Sequence, residues 1–330
     1  MKDTMSESDP IIGDEAFHIA MDEYEAEYQE KMRKKERRPN TGATLGDLLD
    51  ELDDKRETFE SRMNLKSGRD FFREKPPPMQ WLVGGVVEKG ALVMLAGPPK
   101  TAKSWFTLEL GLSVASGKSL FGDPLLSGNG EPGTVLFCFL EDGPYNIHAR
   151  ASALASVKGI KDVGSLDTFF RFGGGIDMGQ RSHAMAFADA IKRGVPEMSL
   201  ICFDPFRNLH YGDENDSAAI IQVMDNLRLI RDVTGSAVLV VHHTRKPSAS
   251  DKANPGYAIR GSGAIFGAVD GLISMMSVDN SERDTDSIVN NIYVRVKGGR
   301  EASPFSASLT IKDGFDGRAS KAMWEVSGRI

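Results

Sequence analysis

Short apolar runs alternate with amphipathic segments through the central part of the chain, from about residue 79 onward. The runs are rich in Val, Leu, Ile and Phe, and they occupy residues 91–96, 134–140, 199–203 and 237–241. Between them, the spacing of apolar residues predicts helices near 103–116, 144–157, 181–193 and 216–232. Continuous apolar strands that alternate with helices are typical of a parallel sheet buried on both faces. We therefore predict an α/β fold with a mainly parallel central sheet flanked by helices.

The pattern changes after residue 270, where four further apolar segments follow one another without a clear helix between them. They lie at residues 272–276, 291–296, 306–311 and 322–326. Parallel neighbours need a long crossover connection, whereas antiparallel neighbours do not. The sequence thus predicts an antiparallel C-terminal extension of the sheet.

The first 75 residues differ from the rest of the chain in both pattern and charge. Apolar residues at helical spacing predict one helix over 14–38 and a second around 45–52, and the prolines at 76–78 indicate a linker. We predict a helical N-terminal arm (1–75) ahead of one globular domain (76–330). Two interpretations of the arm stay open: it packs on its own domain, or it mediates oligomerisation or docks a partner.

Charge sharpens this division. Residues 1–75 hold 14 Lys and Arg against 20 Asp and Glu, so they carry −6 of the net charge of −7. An acidic chain with a nearly neutral domain argues against general coating of nucleic acid, but a local basic channel remains compatible with it. No run approaches the roughly 18–20 apolar residues of a membrane helix, and the polar start lacks a secretory signal. We expect a cytoplasmic protein without membrane contact, in which Cys138 and Cys202 are core residues.

One loop carries the strongest chemical signal. The run 91–96 leads into G-x-x-x-x-A-K-S, one residue from a Walker A motif, and then into an apolar helix. Such a unit wraps phosphates with backbone N–H groups and adds a lysine for the β- and γ-phosphates and a hydroxyl for Mg²⁺. Ala102 stands where glycine is usual, so its methyl group is expected to crowd the nucleotide or restrict the backbone. The residues predicted to bind ATP are Gly97, Pro98, Pro99, Lys100, Thr101, Ala102, Lys103, Ser104 and Trp105.

Polar residues follow three other predicted strands. Asp204 ends the run 199–203 in the Walker B form, and we predict that it holds Mg²⁺ together with Ser104. Glu141 follows the run 134–140 and is the candidate base for the attacking water, whereas Asp142 has a competing interpretation as a helix cap. His242 and His243 end the run 237–241, at the edge where parallel sheets bind ligands, and are candidate contacts of the γ-phosphate.

In order along the chain, these segments resemble the RepA-like branch of the RecA/DnaB superfamily, the AAA_25-type ATPases. The resemblance covers about residues 79–300 and leaves the first 75 outside. It rests on Trp81-Leu82-Val83-Gly84-Gly85, LAGPPKTAKS, FLED, ICFDPF, VVHHTRK and RGSGAIFGAVDGL. It implies a RecA-like P-loop NTPase core, with ATP and Mg²⁺ as cofactors and ATP bound between neighbouring subunits of a homo-oligomeric, hexameric ring.

The resemblance also implies roles for individual residues. Lys103 and Ser104 match the Walker A positions, Glu141 the catalytic glutamate and Asp204 the Walker B aspartate. His243, with His242 as its substitute, matches the histidine motif at the γ-phosphate. Arg260 begins a segment similar to the next helicase motif. Lys297 and Arg300 fall where relatives carry basic fingers that act on the neighbouring subunit's nucleotide, although an ordinary basic turn explains them equally well.

Two long polar loops, 206–216 and 245–259, follow the strands that end in Asp204 and in the histidines. In RecA-like rings such loops face the central channel, so we predict contacts with single-stranded DNA. Tyr257 or Phe206 is a candidate to stack on a base. The alternative is a surface loop without a ligand. Candidate phosphate contacts are Arg207, Arg245, Lys246, Lys252 and Arg260.

The predicted function is an ATP-hydrolysing, ring-forming motor on single-stranded DNA, namely a replicative helicase of a plasmid, phage or other mobile element. A second hypothesis is a regulatory or scaffolding ATPase that does not unwind DNA. Its arm would dock a replication initiator, a primase or another partner. A third is a recombinase-like filament former.

Overall fold

The computed structural model describes residues 30, 68–73, 75, 78–214, 216–244, 265, 267–277, 287–297, 305–313 and 319–329. The described residues up to Met79 belong to one compact unit, and those from Gln80 onward belong to a second. The first unit contains the short helix α1 (Gly68–Arg73). The predicted helices at 14–38 and 45–52 lie outside the described residues, apart from the helical Glu30. The division into an arm and a domain therefore stays a prediction.

The second unit is built on a nine-stranded sheet, preceded by an antiparallel pair, β1 (Trp81–Val83) and β2 (Val87–Glu88). Its strand order is β11-β10-β9-β8-β3-β7-β6-β4-β5. The six strands from β8 to β5 are parallel, and β9, β10 and β11 add to β8 in antiparallel fashion. The predicted fold class is confirmed. The strands are β3 (Leu92–Gly97), β4 (Thr134–Phe139), β5 (Thr168–Phe172), β6 (Met198–Asp204), β7 (Ala237–His243), β8 (Gly271–Ser277), β9 (Ser287–Lys297), β10 (Phe305–Asp313) and β11 (Ala319–Arg329).

Four helices cover the parallel strands: α2 (Lys103–Ser116), α3 (Pro144–Lys158), α4 (Arg181–Gly194) and α5 (Ser217–Thr234). Two hydrophobic clusters separate the faces of the sheet. Val93 and Leu95 of β3 join the residues of α2 and α3, whereas Leu92 and Met94 join those of α4 and α5. Because both faces are buried, the strands appear in the sequence as unbroken apolar runs.

Strand alternation decides which face each strand-end residue shares. In β6, Leu200 and Cys202 contribute to the cluster of α2 and α3. In β7, Leu239 and Val241 do the same. Because side chains alternate with a period of two, the next members of these series, Asp204 and His243, fall on the face of α2. Cys138 and Cys202 are buried and free, as expected of core residues.

Two elements of the second unit were not predicted. The edge strand β5 is short and rich in phenylalanine, and the β1–β2 pair is only a few residues long, so neither produces an extended apolar pattern. No helix among the described residues combines the length and apolar character needed to cross a bilayer.

Candidate active site

The strand ends that carry the predicted chemistry meet at one edge of the sheet. Phe139 of β4 lies opposite Asp204 of β6, and Gly97 of β3 lies opposite His243 of β7. Two backbone hydrogen bonds continue the pairing past the strands, from Leu140 N to Asp204 O (2.8 Å) and from Thr244 N to Gly97 O (3.1 Å). This is the carboxyl edge of the parallel strands, where ligands bind in open α/β sheets.

Lys103, the first residue of α2, is folded back onto the loop that precedes it. Its Nζ donates to Gly97 O (2.9 Å) and Pro98 O (2.7 Å), and Thr101 Oγ1 lies 3.5 Å away. Burial lowers the pKa of Lys103 to about 8, and the carboxylate of Asp204 acts in the opposite direction. The buried ammonium is thus held mainly by neutral oxygen atoms that a phosphate group can replace.

The backbone of the loop explains why glycine is usual at two positions. Ala102, the N-cap of α2, has φ 60° and ψ 27°, in the left-handed region. That conformation costs an L-residue roughly 1–2 kcal/mol, so the expected restriction of the backbone at Ala102 is a real strain. At Gly97 a Cβ atom would lie 2.6 Å from Met275 O of β8, so a side chain there would collide with backbone.

Ser104 and Asp204 form the predicted pair of oxygen ligands. The Ser104 hydroxyl donates a hydrogen bond to the Asp204 carboxylate. Asp204 Oδ2 is buried and has no hydrogen-bond partner among the described residues. Burial raises the pKa of Asp204 to about 6, against the opposing effect of the Ser104 hydrogen bond. A buried carboxylate oxygen without a partner is costly unless a ligand uses it, and hard oxygen donors suit Mg²⁺.

Glu141 lies just past the end of β4 and its side chain is exposed. Burial is the larger influence on the pKa of Asp204 and of His243, but the negative charge of Glu141 acts to raise both values, which places it near both groups. Its neighbour Asp142 does not cap α3, because the N-cap is Gly143 and no side chain caps that end. The capping interpretation of Asp142 is therefore wrong. Asp142 instead forms an ion pair with Arg150 of α3 at 2.6 Å.

The two histidines occupy different surroundings. His243 lies on the face of α2; burial and then the positive charge of Lys103 lower its pKa. Its Nδ1 has no hydrogen-bond partner in the described part of the chain. His242 is buried on the other face, where its ring meets the Phe206 ring edge-on at 5.3 Å. Of the two, His243 is the one that shares the surroundings of the phosphate loop, so His242 is misplaced as its substitute.

The candidate DNA contacts are described only in part. Arg207 is exposed, and its guanidinium donates to His210 O of the same loop at 3.2 Å. Phe206 is fully buried, so the prediction that it stacks on a base is wrong. Lys297 is the last residue of β9, and its side chain lies outside the described part. Also outside the described residues are Arg245, Lys246, Lys252, Tyr257, Arg260 and Arg300.

Three residues at this edge escaped the sequence reasoning. Asn208 Nδ2 donates to Leu140 O at 3.2 Å and so ties the loop after β6 to the end of β4. Arg150 bridges Asp142 and the ring of Trp105, which lies 5.7 Å from its guanidinium carbon. Thr244 Oγ1 is buried without a hydrogen-bond partner among the described residues. Their only signal in the sequence is closeness to a strand end or, for Arg150, an arginine two turns into the following helix.

A solved structure and a family model both match this chain. The solved structure is the ATPase domain of a helicase, with 14% sequence identity and a TM-score of 0.46 over 67% of this chain and 81% of that one. The family model AAA_25, an AAA domain, matches residues 58–249. The match begins inside the predicted arm, so the expectation that all of the first 75 residues lie outside the family is wrong. Because the match spans more than half of the chain, including the phosphate loop, Glu141, Asp204 and His243, the chain belongs to the AAA_25 family of P-loop ATPases in the RecA/DnaB superfamily.

Proposed function

We propose that this chain hydrolyses ATP at the carboxyl edge of its sheet and works as a ring-forming motor on single-stranded DNA. The observation that carries the ATPase part is the convergence of Lys103, Ser104, Asp204, Glu141 and His243 on one edge. Each residue type has a separate task in phosphoryl transfer, and the superfamily supports the same assignment.

Lys103 supplies the positive charge for the β- and γ-phosphates. Its three oxygen neighbours are uncharged, so phosphate oxygens offer the ammonium a stronger interaction than the loop does. Bound phosphate also opposes the desolvation that lowers the pKa of Lys103, and so keeps the lysine protonated. The N-terminus of α2, which begins at Lys103, adds backbone N–H groups aimed at the same anion.

Ser104 and Asp204 fit a magnesium site. The Ser104 hydroxyl can turn from the carboxylate toward the cation, and Asp204 Oδ2 is free to accept a water of its coordination shell. When bound, Mg²⁺ neutralises charge on the phosphate oxygens and orients them for in-line attack. Binding of a divalent cation also favours the ionised form of Asp204, whose pKa burial raises.

Glu141 and His243 act on the reacting end of the nucleotide. Glu141 is exposed beside the site, so it can accept a proton from a water molecule aligned with the γ-phosphate. His243 has a buried Nδ1 that lacks a partner among the described residues, and a hydrogen bond to the γ-phosphate would satisfy one ring nitrogen. A basic side chain from a neighbouring subunit, Lys297 or Arg300, would complete the charge stabilisation in a ring.

ATP turnover of the wild type, Lys103→Ala and Glu141→Gln tests the ATPase proposal. We expect Glu141→Gln to reduce kcat by roughly 10²–10⁴-fold while leaving nucleotide affinity largely intact, because only proton transfer is removed. Lys103→Ala should lose both turnover and affinity. A wild type that turns over ATP no faster than either variant would refute the assignment.

The non-unwinding regulator remains a second candidate because of one observation. The loop after β6 carries Arg207, but acidic residues at positions 213, 214 and 216 follow in the same loop, and the guanidinium of Arg207 is engaged with His210 O. Such a loop repels a phosphate backbone more than the predicted DNA contact requires. Stimulation of ATPase by a single-stranded oligonucleotide, measured together with strand displacement on a forked duplex, separates the two. Neither effect appears if the chain is a regulator.

A further inference from the structure

The segment that carries Glu141 is anchored on both sides of that residue. On the N-terminal side, Leu140 N donates to Asp204 O at 2.8 Å, and Leu140 O accepts from Asn208 Nδ2 at 3.2 Å. On the C-terminal side, the Asp142 carboxylate meets Arg150 at 2.6 Å. Glu141 is exposed between these two anchors, so the position of its main chain depends on both of them.

The second anchor reaches the phosphate loop. Arg150 lies on α3, and its guanidinium carbon is 5.7 Å from the centre of the Trp105 ring. Trp105 is the residue directly after Ser104 on α2. The arginine therefore joins the β4–α3 connection, which carries the proposed base, to the helix that carries the proposed phosphate and metal ligands. Arginine suits this task, because its planar guanidinium can hydrogen-bond a carboxylate and lie over an aromatic ring at the same time.

The chemistry of Asp142 also indicates this use. The carboxylate lies two residues before Pro144, where it would be available to cap α3, but that cap contains no side-chain hydrogen bond. Instead it pairs with a residue two turns into the helix, with both side chains about a quarter exposed. A short, partly shielded, charge-assisted hydrogen bond restricts the connection more than a solvent-exposed pair does.

We propose that Arg150 is a positioning residue for ATP hydrolysis: through Asp142, and braced against Trp105, it holds Glu141 in register with the phosphate loop. This inference rests on the proposed ATPase function and adds to it a residue outside the Walker, glutamate and histidine motifs. Arg150 acts through Asp142, so its effect should fall on the chemical step rather than on nucleotide affinity. A misplacement of about 1 Å can cost on the order of 10²-fold in rate.

The test compares Arg150→Ala, Arg150→Lys and Asp142→Asn with a matched control, Arg193→Ala. Arg193 forms an Arg–Asp pair with Asp189 on α4, on the other face of the sheet, so its loss reports the general effect of breaking such a pair. Single-turnover ATP hydrolysis and the Kd for a non-hydrolysable ATP analogue are measured separately, and thermal unfolding checks that each variant folds.

We expect Arg150→Ala and Asp142→Asn to slow hydrolysis roughly 10- to 100-fold, with Kd changed by no more than about threefold. Arg150→Lys should recover part of the rate, because an ammonium still pairs with Asp142. Adding Arg150→Ala to Glu141→Gln should have little further effect, since the arginine acts on the missing base.

Three results would overturn the inference. A weaker Kd with an unchanged hydrolysis rate would mean that Arg150 contacts the nucleotide directly. Rates equal to that of Arg193→Ala would make the pair an ordinary surface contact, and fully additive effects with Glu141→Gln would remove the link to the base. Failure of the ATPase proposal itself is distinct, since wild type and Lys103→Ala would then turn over ATP equally slowly.

Discussion

Helix α2 contacts two buried lysine ammonium groups, and their surroundings differ sharply. Lys103, at the start of the helix, donates to neutral carbonyl oxygens, and Asp204 nearby keeps an oxygen without a partner among the described residues. Six residues further along, Glu109 pairs with Lys158 of α3 at 2.5 Å. There the Phe121 N–H also donates to Glu109, and Lys158 donates to Ser119 O, so both charges are matched.

The difference separates a site from a structural pair. A buried charge with its opposite charge and hydrogen bonds in place has little reason to bind anything else, whereas separated buried charges and orphaned oxygens lower the cost of binding a ligand that satisfies them. Lys103 and Asp204 are in the second condition, and burial shifts the pKa of each toward its neutral form. Substitutions at the two lysines should therefore have opposite consequences.

The largest effect on stability is expected at Lys158. Lys158→Met would leave the Glu109 carboxylate buried without its counter-charge and should lower the free energy of unfolding by about 3–5 kcal/mol at neutral pH. Urea denaturation measures it. Burial raises the pKa of Glu109, so the loss should shrink as the pH falls and Glu109 takes up a proton. The control is Glu109→Leu with Lys158→Met, which should restore most of the stability; a double variant as unstable as the single one contradicts the pairing.

Lys103→Met should show the reverse pattern. Removing the ammonium leaves no paired carboxylate behind, so the free energy of unfolding should stay level or rise. At the same time kcat/KM for ATP should fall by roughly 10²–10³-fold, as on loss of one transition-state donor. Paired measurements of denaturation and ATP turnover check this. If Lys103→Met were as destabilising as Lys158→Met, the contrast between the two regions would disappear.

The pH dependence of kcat/KM should reflect the unpaired region. ATP hydrolysis needs ionised Asp204 and protonated Lys103, whose pKa values burial moves to about 6 and about 8. Activity should rise with pH through the first value and fall through the second, because kcat/KM reports groups of the free enzyme. In Lys103→Met the alkaline limb should be lost while the acid limb remains. A wild-type profile that is flat from pH 5 to about 7 would argue against Asp204 as a required carboxylate.

The smallest effect concerns the two ends of α2 as backbone. Ala102 at the N-cap and Gly117 at the C-cap both have left-handed angles, with φ 60° and 66°. Ala102→Gly should relieve strain and stabilise the fold by about 1 kcal/mol. Gly117→Ala should destabilise it, since its Cβ would lie 2.5 Å from Gly130 O. Thermal unfolding of both variants provides the comparison; a loss of stability in Ala102→Gly would contradict the strained conformation.

Much of the fold was predictable, because the parallel strands are buried on both faces and therefore appear as continuous apolar runs. The runs ending near Gly97, Asp204 and His243 match β3, β6 and β7 closely for that reason. The edge strand β5 was missed because it is short and packs on only one side in the sheet. Within the site, the motif residues were predictable because phosphate chemistry requires those residue types at strand ends.

Contacts between segments were less predictable. Asp142 was ambiguous because a carboxylate before a helix can cap it or pair with a later side chain, and the structure shows the pair with Arg150. Phe206 was assigned to base stacking because aromatic residues serve both cores and nucleic acids, and its complete burial excludes that use. Composition cannot distinguish these cases, since each depends on what packs against the side chain.

The sequence by itself determined the phosphate loop, the order of the carboxylates and histidines, and the parallel sheet that brings them to one edge. These are local patterns, or follow directly from which residues must avoid water. Only the tertiary structure decided which histidine faces α2, that Lys103 lies against neutral carbonyls while Lys158 is paired, and that Arg150 links Glu141's neighbour to Trp105. Those outcomes depend on the face each strand presents and on side chains brought together from distant segments.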